Sequence, residues 1–123
     1  MLLAAATAAI LLSGPIVTID GDTIDADGRR IRIANIDAPE LRTAKCDAER
    51  RLGLVAKHRL EELLASGPVT LTPGDPRDGR TRDRHGRVLG TLSIDGRDVG
   101  QLMIRENLAR PWTGRREPWC EHP

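Results

Sequence analysis

Ile16 to Ile19 is an unbroken β-branched run and apolar and polar residues alternate from Thr23 to Ala26, with Asp20-Gly21 near their junction. Such runs around an Asp-Gly dipeptide predict two strands joined by a hairpin, with a tight bend as the alternative at this position. Asp27-Gly28 then leads into a third strand, Arg30 to Ile36. Ile31 and Ile33 fall on one face of it and Arg32 on the other. Pro39 forbids its continuation as a central strand and biases Ala38 toward an extended backbone. From Asp47 to Ala65 the period becomes helical. Leu52, Val55, Ala56, Leu60, Leu63 and Leu64 make one apolar stripe. Gly53 within it costs the helix about 1 kcal/mol relative to alanine, and Ser66-Gly67-Pro68 ends it.

Val69 to Thr72 predicts a short strand. Pro73 to Gly86 has no apolar period and reads as a mobile surface loop. Arg87 to Ile94 predicts another strand, turned by Asp95-Gly96. Asp98 with Gln101 resembles a capping box opening a helix from Val99 to Glu106. Asn107 provides a left-handed exit with Leu108 folding back, and Pro111 prevents resumption. About five short strands, with one helix after the third and another after the fifth, give an α+β chain whose natural closure is a partly open five-stranded barrel of the OB type. The domain is expected over 15–123. The preceding 1–14 is either the remnant of an export signal or an N-terminal extension. Its apolar run, Met1 to Leu12, is shorter than the roughly 20 residues a bilayer span needs, and no Lys or Arg precedes it.

Composition narrows this picture. With 123 residues, 39% hydrophobic and neither Phe nor Tyr, the chain must build its core from Leu, Ile, Val and Ala. Trp112 and Trp119 are expected to cover that core, the alternative being a base-stacking platform. A net charge of +1 provides no global field for a polyanion, so any such grip is local. The segment Asp75 to Arg87, with five Arg and three Asp, has a surplus of two positive charges. Cys46 and Cys120 lack the CxxC spacing of a zinc site. A disulfide between them, stabilising by about 4 kcal/mol, is favoured over two buried thiols.

The chemistry concentrates between Asp20 and Glu40. Asp22 alone is ordinary turn chemistry, and Asp37 alone a strand-end residue. Two such positions joined through one hairpin can lie side by side, where ionised carboxylates repel unless a cation sits between them. An all-oxygen site favours calcium or magnesium. Few carboxylates and several waters imply weak calcium binding, on the order of 10⁻⁴ to 10⁻³ M, as in extracellular modules. Glu40, otherwise a solvated loop acid, is a candidate base or water-orienting group. Arg32 and Arg87 lie on different strands; facing the acids together, they would clamp a phosphoryl group. Asp20 is read as a turn residue, and His58 and His122 are assigned no role.

Ile19-Asp20-Gly21-Asp22-Thr23-Ile24, the run from Arg32 to Glu40, and Asp83-Arg84-His85-Gly86-Arg87 resemble the staphylococcal nuclease family. Gly96-Arg97-Asp98-Val99 and Asn107-Leu108-Ala109 extend the resemblance, which covers about Ile16 to Arg110. It implies an OB-fold, calcium-dependent endonuclease acting on DNA and RNA with low sequence specificity and leaving 5′-hydroxyl and 3′-phosphate ends. It further implies Asp22, Asp37 and the Ala38 carbonyl as metal ligands, Glu40 as the essential glutamate, and Arg32 and Arg87 as phosphate-binding arginines. His85 departs from the tyrosine frequent before the Gly-Arg pair. A third family helix is expected to be missing or reduced to the Cys120 tail. A monomer, secreted or periplasmic, is expected; the other location considered is the cytoplasm. A non-catalytic nucleic-acid or protein-binding OB module and a purely structural secreted domain are the rival readings.

Overall fold

The computed structural model describes residues 8–120; Met1–Thr7 and His122 lie outside the described residues. The five strands of the expected barrel are β2 (Ile16–Asp20), β3 (Thr23–Ala26), β4 (Arg29–Ile33), β6 (Val69–Pro73) and β7 (Val88–Ile94). They hydrogen-bond in the order β2-β3-β4-β7-β6, antiparallel except for the β4–β7 pair, which is parallel. The curled sheet with a helix after its third strand and another after its fifth is an OB-fold, α+β and mainly β.

Four two-residue strands escape the period-two pattern because they are too short to show one. β1 (Ile10–Leu11) adds to the edge of β6, with the Leu12 N–H donating to the Val69 carbonyl at 2.9 Å. β8 (Arg97–Asp98) closes the last hairpin with β7. The predicted strand from Arg30 to Ile36 breaks at Ala34-Asn35, and β5 (Ile36–Asp37) leaves the barrel to pair with β9 (Arg110–Pro111). That break carries Asp37 away from the sheet.

Two of the Asp-Gly dipeptides form the hairpin turns expected of them. Asp27 and Gly28 have φ of 51° and 75°, and Asp95 and Gly96 have 50° and 74°, the double left-handed step of a type I′ turn. Asp20-Gly21 does not take that step, yet β2 and β3 pair as the expected hairpin, closed by Gly21-Asp22 between paired Asp20 and Thr23. The register shifts between Thr18 and Asp20, and the Asp20 carboxylate accepts the Asp22 N–H at 3.1 Å. The result is a tight bend that presents Asp22. Beyond the end of β6, the stretch to Gly86 is the expected surface loop, built of turns and mostly exposed. Buried Asp75 closes one turn, accepting the Gly79 N–H on its carbonyl and the Arg77 N–H on its side chain, and Asp83 closes the next.

Helix α1 (Asp47–Leu64) lies along β2, and α2 (Val99–Arg105) packs on β7. Asp98 caps α2 by accepting the Gln101 N–H at 2.9 Å, and Asn107, φ 61°, ends it with Leu108 bonded back to Met103. The core consists of Ile24, Ile31, Ile33, Leu60, Leu71, Leu92, Val99 and Met103. Neither tryptophan belongs to it. The buried stripe of α1 is narrower than expected: Ala56, Leu60 and Leu64 are buried, whereas Val55 is 54% exposed. Among the described residues no helix is long and apolar enough to cross a membrane.

The narrow stripe follows from close approach. A Cβ on Gly53 would lie 2.5 Å from the Glu40 carbonyl oxygen, and one on Gly21 would lie 2.8 Å from the Ala38 Cβ and 2.9 Å from the Ala56 Cβ. Small residues thus press the helix against both acid-bearing segments. Gly53→Ala should therefore destabilise the protein by about 1–3 kcal/mol through overpacking, although alanine is the better helix former. Urea denaturation of the variant checks the sign, and a gain in stability would refute the close-contact explanation.

Candidate active site

Three short segments converge. The β2–β3 bend contributes Asp20 and Asp22, β5 contributes Asp37 with Ala38, and the stretch leading into α1 contributes Glu40. Asp22 is buried. Its Oδ2 accepts the Ala38 N–H at 2.9 Å, its Oδ1 accepts the Thr23 hydroxyl at 3.0 Å, and an Arg32 Nη2 lies 3.7 Å from Oδ2. Burial alone would raise the Asp22 pKa, but the Arg32 charge and these hydrogen bonds outweigh it and hold the carboxyl below the usual range. Asp20 goes the other way, pushed up to about 7 by burial and by the neighbouring Asp22 charge. The two carboxyls of one bend are thus driven in opposite directions.

Asp37 is also buried. Trp119 Nε1 donates to its Oδ2 at 3.3 Å, while its Oδ1 has no hydrogen-bond partner among the described residues. Burial raises the Asp37 pKa, the Arg116 charge opposes the rise, and the Asp22 charge adds to it. An unpartnered buried carboxylate oxygen beside a second carboxylate fits a hard cation. Among the described residues no three His, Cys, Asp or Glu side chains converge as a ligand set. Asp22 and Asp37 would therefore hold such a cation together with backbone carbonyl and water oxygens.

Glu40 is placed beside them by Glu49, which sequence reasoning missed. The buried Glu49 carboxylate accepts the Glu40 N–H at 2.9 Å and the Lys45 N–H at 2.8 Å from the first turn of α1. The Glu40 carboxylate accepts the Thr43 hydroxyl at 3.2 Å and pairs with Arg116.

Arg32 is buried, donating from Nη1 to the Ile33 carbonyl and to the Ile36 carbonyl at 2.8 Å. Its guanidinium carbon lies 5.3 Å from the centroid of the Trp112 ring. Arg87 is more open, its Nε donating to Asp83 Oδ2 at 2.7 Å. Arg32, His85, Arg87, Trp112 and Arg116 line one groove of about 450 Å³. The expected clamp is thus split. Arg32 lies 3.7 Å from Asp22, whereas Arg87 is paired with Asp83 and shares only the groove lining with Arg32. Trp119 stacks under Arg110, 3.7 Å from ring centroid to guanidinium, so both tryptophans brace arginines.

The tail from Trp112 to Cys120 is the part sequence reasoning underused. Cys46 and Cys120 form the expected disulfide, and this staple draws Arg116 and Trp119 onto the acids. The expected bridge, from just before α1 to the tail, was the signal that could have found both.

The sequence profile described as "Staphylococcal nuclease homologue" matches residues 30–122. The chain belongs to the staphylococcal nuclease family. It is 38% identical over 96 residues to an Escherichia coli protein named "Uncharacterized endonuclease", covering 74% of this chain and 54% of that protein. It is 33% identical over 96 residues to "Endonuclease YncB" of Bacillus subtilis, covering 75% and 44%. It is also 33% identical over 108 residues to "Succinoglycan biosynthesis protein ExoI" of Rhizobium meliloti, covering 85% and 54%. The chain spans about half the length of the curated relatives it matches.

Proposed function

We propose that this member of the staphylococcal nuclease family is a calcium-dependent endonuclease that hydrolyses DNA and RNA with low sequence specificity, leaving 5′-hydroxyl and 3′-phosphate ends. The observation that carries the reading is the unpartnered Asp37 Oδ1, buried beside ionised Asp22, with Arg32 linking that pair to an arginine-lined groove. Relatives named endonucleases support it.

Asp22, Asp37 and the Ala38 carbonyl would hold the calcium, which when bound supplies positive charge to polarise a phosphate oxygen. Glu40 orients the attacking water and accepts its proton. The water oxygen bonds to phosphorus as the phosphorus–O5′ bond breaks, the leaving 5′-oxygen takes a proton from solvent water, and Glu40 returns its proton to solvent. Arg32 and Arg87 hold the non-bridging oxygens as negative charge grows on them. Arg32 is fixed for this by two carbonyls and a ring, so little reorganisation accompanies the reaction. Weak calcium binding and the disulfide favour a secreted or periplasmic setting, where calcium is plentiful and thiols are oxidised.

Single-stranded DNA incubated with the protein should be cleaved in calcium and left intact in excess chelator. Gel retardation without cleavage in calcium would instead identify a binding module and overturn the nuclease reading.

A further inference from the structure

Arg116 meets two of the three proposed active-site acids at once. Its Nη1 contacts Glu40 Oε1 and lies 3.9 Å from Asp37 Oδ1, the buried oxygen that lacks a hydrogen-bond partner. The same side chain lines the groove that holds Arg32 and Arg87, and it is 45% exposed. Its backbone belongs to a short strap fastened at both ends. At one end the Trp112 N–H donates to the Asn35 carbonyl at 3.1 Å; at the other Cys120 is bonded to Cys46 and Trp119 to Asp37. Between these anchors, residues 113–118 are exposed. The guanidinium is thus held within reach of both the acids and the groove without being locked to either.

A guanidinium so close to Asp37 Oδ1 and Glu40 screens the charge a divalent cation would bind, and its own charge repels that cation. Resting on the proposed calcium reading, we infer that Arg116 is a displaceable counter-ion of the acid site. It neutralises Asp37 and Glu40 until the metal enters, then turns to the groove and becomes a third arginine gripping the polyanion. Metal and polyanion binding are thereby coupled in both directions. Calcium frees Arg116 for phosphate, and phosphate in the groove draws Arg116 off the acids. The tail is then part of the site as a positioning element, with Arg116 setting the threshold at which calcium completes it.

Calorimetric titration of calcium chloride into the nucleic-acid-free protein tests the first half. Arg116→Ala should bind calcium about 10-fold more tightly than wild type, and Arg116→Gln should follow it. Arg105→Ala removes the same charge from the exposed end of α2 and should change the affinity by less than about 2-fold because of screening. The second half is read at saturating calcium, where Arg116→Ala should raise KM for single-stranded DNA about 10-fold with kcat nearly unchanged. Wild type that binds calcium while Arg116→Ala binds it no more tightly would overturn the counter-ion alone and leave the calcium reading standing. Equal tightening by Arg105→Ala, or an unchanged KM in Arg116→Ala, would also overturn the inference. If neither protein binds calcium, the calcium reading and the counter-ion fall together.

Discussion

Arg87→Ala should lower the rate of calcium-dependent cleavage about 10²-fold or more, the scale of removing one preorganised donor aimed at developing charge. Its stability should stay within about 1 kcal/mol of wild type, because the Arg87–Asp83 pair is partly open to solvent. That separation makes Arg87 a better probe than Arg32, whose buried guanidinium also satisfies two backbone carbonyls and whose loss would perturb folding and chemistry together. Arg87→Lys should fail to restore activity, since an ammonium keeps the charge but loses the planar fork. The partner acid gives a pH signature as well. Burial would raise the Asp83 pKa, but the Arg87 and His85 N–H groups and the Arg87 guanidinium outweigh it and hold the carboxyl below the ordinary 3.8. The stability Asp83 contributes is therefore present above about pH 4 and lost as pH falls through its lower folded value. Chemical denaturation from pH 7 down to pH 3 should show that loss in wild type and less of it in Asp83→Asn. Near wild-type cleavage by Arg87→Ala would remove Arg87 from the clamp.

The residues legible in the sequence are those whose neighbours along the chain fix them. Asp27-Gly28 and Asp95-Gly96 demanded two left-handed residues each, and that local requirement placed both hairpins. Asp22 and Asp37 were legible because each borders a strand segment joined through one hairpin; the break at Ala34-Asn35, which takes Asp37 off the barrel sheet while Ala38 bonds to Asp22, was not. What escaped depends on distance. Val55 keeps the helical period yet stays exposed, because Gly53 and Ala56 let α1 approach closely along a narrow line. The loop from Pro73 to Gly86 has no apolar rhythm, and its order comes from the Asp75 and Asp83 carboxylates closing turns on N–H groups. Glu49 reads as an ordinary acid of a helix first turn until the Glu40 and Lys45 N–H groups are seen to end on it. Arg116 is placed by a disulfide and by the pairing of β9 with β5. The disulfide was expected, but no period in the nine-residue tail from Trp112 to Cys120 could reveal the strand pairing or where Arg116 ends.

Cys120→Ser should lower the free energy of unfolding by about 4 kcal/mol, the loop-closure entropy regained by the unfolded chain once residues 46 and 120 are no longer joined. That is a large part of the roughly 5–15 kcal/mol expected of a domain this size and corresponds to a fall in Tm of about 15 °C. Cys46→Ser is the less informative partner variant. Cys46 is the N-cap of α1, with its sulfur 3.4 Å from the Glu49 N–H. A serine hydroxyl caps better and would hide about 1 kcal/mol of the loss. The effect should also reach the site. With the tail unfastened, Trp119 loses its hold on Asp37 Oδ2 and the strap carrying Arg116 gains freedom. Reduction of the wild-type protein should reproduce the destabilisation of Cys120→Ser and add nothing in that variant, since its remaining thiol has no partner among the described residues. Urea denaturation with and without reductant measures both. A change below about 1 kcal/mol would mean that the unfolded chain regains little entropy when the cross-link is cut, and that the β5–β9 pairing and the Trp119 contact suffice to hold the tail.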